Sequence, residues 1–353
     1  MAITQGIKKY FTTGLLNWNE NINNRQLPWK NEKDPYKIWL SEIILQQTRA
    51  EQGRPYYEKF ILHYPDVNAL AKAKDDDVFK DWQGLGYYNR CRNLLAAART
   101  IVTEHNGIFP KTYESILTLK GIGPYTAAAI ASFAFQLPYA VLDGNVYRVL
   151  SRYFGIDTPI DSTGGKQLFQ QLADDLLDKK QPAAFNQAIM DFGASVCTPQ
   201  LPDCEHCPLA KNCIALKHEM VSLLPVKTKK LIIKERHLHY LVLLWKDEVY
   251  IQLRSGKDIW QGLYEFFLIE TDNDYQLTKP WEQLHKNVNE VQSATFENKQ
   301  KLTHQLIKST FHLIQLHSKP ENLLHGIWVQ KDLLKNYPFP KTILSFLNRK
   351  KYF

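Results

Sequence analysis

The sequence predicts two domains of different class: a nearly all-α unit over residues 1–216 and an α+β unit over residues 235–353, with a linker at 217–234. Three observations predict this. Stretches of helical length and composition follow one another up to about residue 192, whereas beyond 235 apolar and polar residues alternate as in strands. Between them lies HEMVSLLPVKTKKLIIKE, with a proline, a lysine cluster and no helical period. Charge divides at the same place, with 23 Lys+Arg against 22 Asp+Glu in residues 1–216 and 21 against 14 in residues 217–353. Most of the net charge of +8 therefore sits in the C-terminal part, which permits an anionic partner without requiring one.

A chain of 353 residues can bury two cores. Its 44% hydrophobic content is globular, and no low-complexity tract or solenoid repeat interrupts it. Apolar runs such as 240–245 are too short to cross a bilayer, and MAITQGIKKYF lacks the apolar core of a signal peptide. An unexported, cytoplasmic protein with no membrane partner is expected.

Taken in order, residues 5–20 read as a first helix, followed by a loop carrying Arg25, Leu27, Pro28, Trp29 and Lys30. Residues 36–49, YKIWLSEIILQQTR, read as the next helix. Its Glu42 is flanked by Ile38, Trp39, Leu40, Ile43, Ile44 and Leu45, surroundings that disfavour a charged carboxyl and suit a general acid near neutral pH. A Glu at the edge of an apolar stripe would look the same. Helices are expected over 50–63 and 66–82; GLGYYNR then breaks the pattern before a helix over 90–104, which bears the lone thiol Cys91.

Asn106-Gly107 and Pro110 turn the chain towards LKGIGPYTA, a glycine hairpin between two helices. Gly121 and Gly123 accept positive φ, and Pro124 suits the first position of a helix. The free N–H groups at that helix start can hold a phosphate, although a purely structural αα-hairpin has the same pattern. The Ala-rich helix ends at Pro138, and Asp143 stands before the next one, where an N-cap role is an alternative to a chemical one. Residues 161–192 are again helical. In the second unit, 239–245, 248–254, 264–270 and 310–317 are strand candidates, and 331–334 and 341–349 read as helices.

Cys197, Cys204, Cys207 and Cys213 form a C-x6-C-x2-C-x5-C loop stiffened by Pro199, Pro202 and Pro208. Clustered thiols in an unexported protein point to metal rather than disulfides. Zinc and a [4Fe–4S] cluster both accept four cysteines, and spacing alone does not separate them. His206 lies between ligands as a surface or supporting residue.

Together these features resemble one family, the adenine DNA glycosylases of the helix-hairpin-helix superfamily. The similarity is carried by SEIILQQTR, GLGYYNR, LKGIGPYTA, VLDGNVYRVLSR and FNQAIMDFGASVCTP with the four-cysteine loop. In the C-terminal unit LRSGKDIWQGLYEFF is similar to the family's Nudix-like recognition domain. The resemblance implies a monomeric enzyme acting on duplex DNA that contains adenine opposite 8-oxoguanine or guanine, with the adenine flipped from the stack. It implies that Glu42 protonates the departing base and that Asp143 stabilises the sugar cation, with Tyr125 and Asn145 in support. It also implies an adenine pocket of Arg25, Leu27, Trp29 and Gln187, duplex intrusion by Gln47 and Tyr87, and backbone binding by Lys120, Gly121, Gly123 and Tyr125. The four cysteines match [4Fe–4S] ligands.

One motif departs from the family. Its Phe-Ser-His lesion loop reads here Leu302-Thr303-His304, which keeps a hydroxyl and the histidine but loses the aromatic wedge. The second unit also lacks the R-E-x-x-E-E carboxylates of a Nudix hydrolase, so recognition rather than nucleotide hydrolysis is expected. Two other readings remain. A glycosylase/lyase of the endonuclease III type would need a Schiff-base lysine where Tyr125 stands. A catalytically silent DNA-binding protein would not need both Glu42 and Asp143.

Overall fold

The computed structural model describes residues 4–228, 232–271, 288–320, 323 and 325–349. The chain forms two compact units: residues 1–71 with 96–229, and residues 72–95 with 230–353. This grouping differs from the contiguous division expected from sequence in one segment, 72–95, which packs with the C-terminal residues. Residues 229–231 of the expected linker lie outside the described residues.

The first unit is all-α. It contains α1 (Gln5–Asn21), α2 (Pro35–Leu45), α3 (Ala50–His63) and α4 (Val67–Lys72). After the end of α6 (Tyr88–Glu104) come α7 (Tyr113–Leu117), α8 (Pro124–Phe135), α9 (Gly144–Phe154), α10 (Thr163–Leu176), α11 (Pro182–Ser195) and α12 (Ile214–Lys217). Helix α8 is buried at every position from Thr126 to Ser132, as its lack of a polar stripe requires, and α2 and α11 pack against it. Phe11, Leu15 and Trp18 of α1 meet Tyr153, Phe154 and Phe192 in the main core. Three expected helices are shorter than anticipated. Helix α2 stops at Leu45 instead of residue 49, 66–82 is divided into α4 and α5 (Asp75–Trp82), and 161–192 is divided into α10 and α11. Residues 224–228 are tied to this unit by Arg152 Nε to the Leu224 carbonyl and by Thr228 to Asp161.

The second unit holds α5, the start of α6 and, among the described residues, a seven-stranded sheet. Its strands are β1 (Lys234–Trp245), β2 (Glu248–Leu253), β3 (Tyr264–Glu265), β4 (Phe267–Thr271), β5 (Val288–Lys301), β6 (Gln305–Leu316) and β7 (Gly326–Gln330). The order is β3-β2-β1-β6-β5, with β4 paired to β1 and β7 to β2. Strands β1 and β6 run parallel, with Leu238 opposite Ser309 and Leu241 opposite His312; the other pairs are antiparallel. Phe266, Phe311, Phe339 and Phe346 bury one face under α13 (Lys341–Arg349), with the Phe311 and Phe346 rings stacked at 4.5 Å. Leu241, Leu243, Tyr250, Ile314 and Leu316 fill the other face. Strands β5 and β7 were not anticipated from sequence.

Candidate active site

Helix α2 begins where Asp34 accepts the Tyr36 N–H at 2.9 Å, with Pro35 at the first helical position. From Ile38 to Ile44 every residue of α2 is buried, so Glu42 sits on a helix with no broad polar face. Burial pushes its carboxyl up to about 7, and the charge of Asp143 adds to the rise. The Tyr125 hydroxyl, donated from the first turn of α8, opposes it. Burial, Glu42 and Asp143 hold the Tyr125 phenol well above its ordinary value, so it keeps the proton that it donates.

Asp143 caps α9: one carboxylate oxygen accepts the Val146 N–H at 2.8 Å and the other the Asn145 amide at 2.8 Å. Burial raises this carboxyl, while those donors and the Arg148 guanidinium pull it back. Asn186, itself buried, holds the approach to Asp143 by accepting from the Val141 N–H and donating to the Tyr139 carbonyl. Arg148 donates to Asn145 Oδ1 at 2.8 Å, to the Gly193 carbonyl at 2.7 Å and to the Cys197 carbonyl at 2.7 Å. A hydrogen-bonded run therefore joins the Asp143 carboxylate to the start of the cysteine loop.

These groups open on a cavity of about 910 Å³ lined by Glu42, Tyr125, Asp143 and Asn145 together with Arg25, Leu27, Trp29, Gln187 and Gln47. The Arg25–Lys30 loop is braced on Asp191, which is fully buried in α11. Arg25 reaches one Asp191 oxygen at 2.8 Å; Lys30 and Asn23 reach the other at 3.3 and 2.9 Å. Trp29 packs edge-on against Tyr57. The cavity joins two carboxyls of raised proton affinity, a phenol donor and a loop of apolar and cationic side chains. That set can protonate a bound base and stabilise a cation beside it.

Gln47 and Tyr87 share a backbone feature invisible in sequence: both are non-glycine residues in the left-handed region, at φ 55° and 50°. For bulky side chains this conformation is uncommon and clusters at functional positions. Tyr87 belongs to the second unit, where its ring lies 5.2 Å from the Arg90 guanidinium and its hydroxyl meets Thr303 Oγ1 at 2.5 Å. With Trp260, Leu302, Thr303 and His304 it lines a second cavity, of about 450 Å³. The hairpin residues Lys120, Gly121 and Gly123 line neither of these cavities. Of the two glycines that can accept positive φ, Gly121 uses it, at 83°; Gly123 does not, and is an extended N-cap with open space where a Cβ would stand.

The four loop cysteines are not paired in disulfides, and Cys197, Cys207 and Cys213 pack beside the main core. The sulfurs are near enough to one another that their charges raise the thiols of Cys204, Cys207 and Cys213 further after burial has done so. Polar donors compensate: the Leu209 N–H faces Cys207, the Leu216 and Ala215 N–H groups face Cys213, and Arg152 approaches Cys197 Sγ at 3.5 Å. Half-buried thiols ringed by N–H donors and a guanidinium suit an electron-rich sulfur-bound group. Among the described residues no three of His, Cys, Asp and Glu converge on a single ion position. His206 is exposed and bonded to Asp203, away from a ligand role.

Two family models match the chain. One, described as HhH-GPD superfamily base excision DNA repair protein, covers residues 40–174; the other, a NUDIX domain, covers residues 239–349. The adenine DNA glycosylase of Buchnera aphidicola subsp. Baizongia pistaciae is 36% identical over 297 residues, 83% of each chain. The chain belongs to the adenine DNA glycosylases.

Among solved structures, a thermostable thymine-DNA glycosylase is 32% identical, with a TM-score of 0.56 over 60% of this chain and 97% of that one. A trapped endonuclease III–DNA covalent intermediate shares the fold, at 20% identity and a TM-score of 0.54 over 62% of this chain and all of that one. The glycosylase thus carries a helix-hairpin-helix domain followed by a sheet-containing Nudix-like domain. Three groups at its sites were not singled out from sequence: Arg148, Asp191 and Trp260. Arg148 and Asp191 are buried charges, and only Asp191, the one charged residue of its helix, offered a signal in the sequence. Trp260 takes φ 61°, for which its neighbourhood offers no cue.

Proposed function

We propose that this adenine glycosylase removes adenine paired with 8-oxoguanine or guanine in duplex DNA and leaves an abasic site. One observation carries the chemistry: Glu42, a buried carboxyl poised at about 7, shares a cavity with Tyr125, Asp143 and the Arg25–Trp29 loop. The flipped adenine enters beside Leu27, Trp29 and Gln187. Neutral Glu42 gives its proton to N7, which weakens the bond between the base and the sugar C1′. As that bond breaks, its electron pair leaves with the adenine, and the sugar becomes oxocarbenium-like. The Asp143 carboxylate, held by Asn145 and the Val146 N–H, stabilises the positive charge. Water then adds to C1′ and gives up a proton. No lysine stands where Tyr125 does, so no Schiff base holds the sugar and the strand stays intact.

Residues 1–216 are read as the catalytic domain and residues 235–353 as the domain that reads the base opposite adenine, through Leu302, Thr303 and His304. Gln47 and Tyr87 enter the duplex, a reading supported by the left-handed backbone at both, and the hairpin at Lys120–Gly123 holds the phosphates. Cys197, Cys204, Cys207 and Cys213 would hold a [4Fe–4S] cluster, a reading supported by the half-buried thiols and by the N–H groups and Arg152 guanidinium that face them. When bound, the cluster supplies a rigid, covalently tied loop, and Arg148 links that loop to Asn145.

A duplex panel tests the proposal: adenine opposite 8-oxoguanine, adenine opposite guanine, and thymine opposite guanine, each with and without hot alkali. Adenine release, faster opposite 8-oxoguanine, with breaks only after alkali, is the expected result. Thymine release or alkali-independent breaks would contradict it.

A further inference from the structure

Two walls of the second cavity are the 255–262 loop and the turn at 302–304, and one side chain bonds to residues of both. Arg236 of β1 is only 8% exposed. Its Nε and Nη2 donate to the two oxygens of Glu270 at 2.6 and 2.7 Å. Its Nη1 and Nη2 donate to the two oxygens of Asp258 at 2.9 and 2.6 Å, and Nη1 also donates to Gln305 Oε1 at 3.2 Å. A guanidinium has five N–H donors in a fixed fork, and all five are engaged.

The partners define what this fork does. Asp258 begins the segment that carries Ile259 and Trp260 into the cavity wall; Gln305 follows directly on Thr303 and His304. Arg254 grips the first wall a second time, through Asp258 Oδ2 at 2.6 Å and the Ile259 carbonyl at 2.8 Å. The second wall is held by the Lys234 N–H on the His304 carbonyl, by the Leu302 N–H on the Gln305 carbonyl, by the Tyr87 hydroxyl on Thr303 Oγ1, and by Arg236 on Gln305, which is the charged side chain among these bonds. Glu270 anchors the fork to β4.

The geometry points to Arg236 as the positioning residue that sets how well the glycosylase distinguishes 8-oxoguanine from guanine, by holding Trp260 and the Thr303 hydroxyl at one spacing across the cavity. This rests on the reading of residues 302–304 as the lesion loop. The two purines differ at one oxygen and one N–H. A hydroxyl that separates them must therefore be fixed to within a fraction of a hydrogen-bond length, and a loop free to shift would bond either base. The Leu302 side chain gives this loop no aromatic wedge with which to fix itself against the base, so the spacing depends on the scaffold behind it.

The test uses the full-length protein and the ratio of single-turnover rate constants for adenine opposite 8-oxoguanine and opposite guanine. Arg236→Met should lower that ratio about tenfold, the equivalent of one good hydrogen bond. Arg236→Lys restores the charge but not the planar fork; it should regain melting temperature without regaining the ratio. Gln305→Leu leaves both carboxylate pairs in place and should lower the ratio a few-fold, so it decides the matter if Arg236→Met does not fold. A wild-type ratio in folded Arg236→Met, or in Gln305→Leu, overturns the proposal. If the unmutated protein itself has a ratio of one, the lesion-loop reading fails, and the role of Arg236 fails with it.

Discussion

At Glu42, burial and the charge of Asp143 raise the carboxyl while the Tyr125 hydroxyl lowers it, and burial is the largest of the three. Tyr125→Phe removes the opposing bond, so Glu42 should hold its proton to higher pH. The alkaline fall of the excision rate, measured under single turnover, should move upward; a downward move would mean that Tyr125 does not donate to Glu42. The same burial has a cost in stability. The folded carboxyl titrates at about 7 against 4.5 for the free group, so between those values the unfolded chain has released a proton that the folded chain retains. The stability contributed by the neutral carboxyl is present in full below 4.5 and is lost as pH rises to about 7, in total about 3 kcal/mol. Glu42→Gln should accordingly melt above the unmutated protein at pH 8, with the difference shrinking towards pH 5. A difference independent of pH would show that Glu42 is already ionised at the lower value.

At the scale of elements, the approach of α11 to the start of α9 aligns the site. A Cβ on Gly193 would lie 2.7 Å from Asn145 Cβ and 3.1 Å from the Asn145 carbonyl oxygen, and the Gly193 carbonyl is itself an Arg148 acceptor. Gly193→Ala should cost about 1–3 kcal/mol by overpacking and displace Asn145 from Asp143. Calorimetry should show the loss of stability and single-turnover assays a slower excision; unchanged excision would detach Asn145 from the chemistry. Much of this arrangement was legible: Asp34-Pro35 marks the start of α2, Gly123-Pro124 that of α8, and Asp143 that of α9. The end of α2 was not, because Gln46, Gln47 and Thr48 carry no stop signal, and the left-handed Gln47 comes from tertiary structure rather than propensity. Strand β5 reads VNEVQSATFENKQK, too polar and irregular to be recognised as a strand, and β7 is five residues that exist by pairing with β2.

For the whole molecule, the residues that share the first cavity could be named from the motifs that carry the family resemblance, whereas the grouping of 72–95 with the second unit was not legible, since it depends on long-range packing such as Tyr264 against Asp76 and Gln83 against Phe339. The assignment of the cysteine loop predicts iron and acid-labile sulfide, about four of each per chain, in protein purified without oxygen. Zinc in their place would contradict it. No helix among the described residues is long and apolar enough to cross a membrane. What unites both units in the account is a single event, protonation of an extruded adenine by Glu42. The most direct measurement is therefore adenine release by Glu42→Gln from a duplex with adenine opposite 8-oxoguanine, under single turnover, beside the affinity of the same variant for that duplex. The account predicts near-normal binding with excision slowed by about a thousandfold or more; excision within a few-fold of the unmutated rate would contradict it.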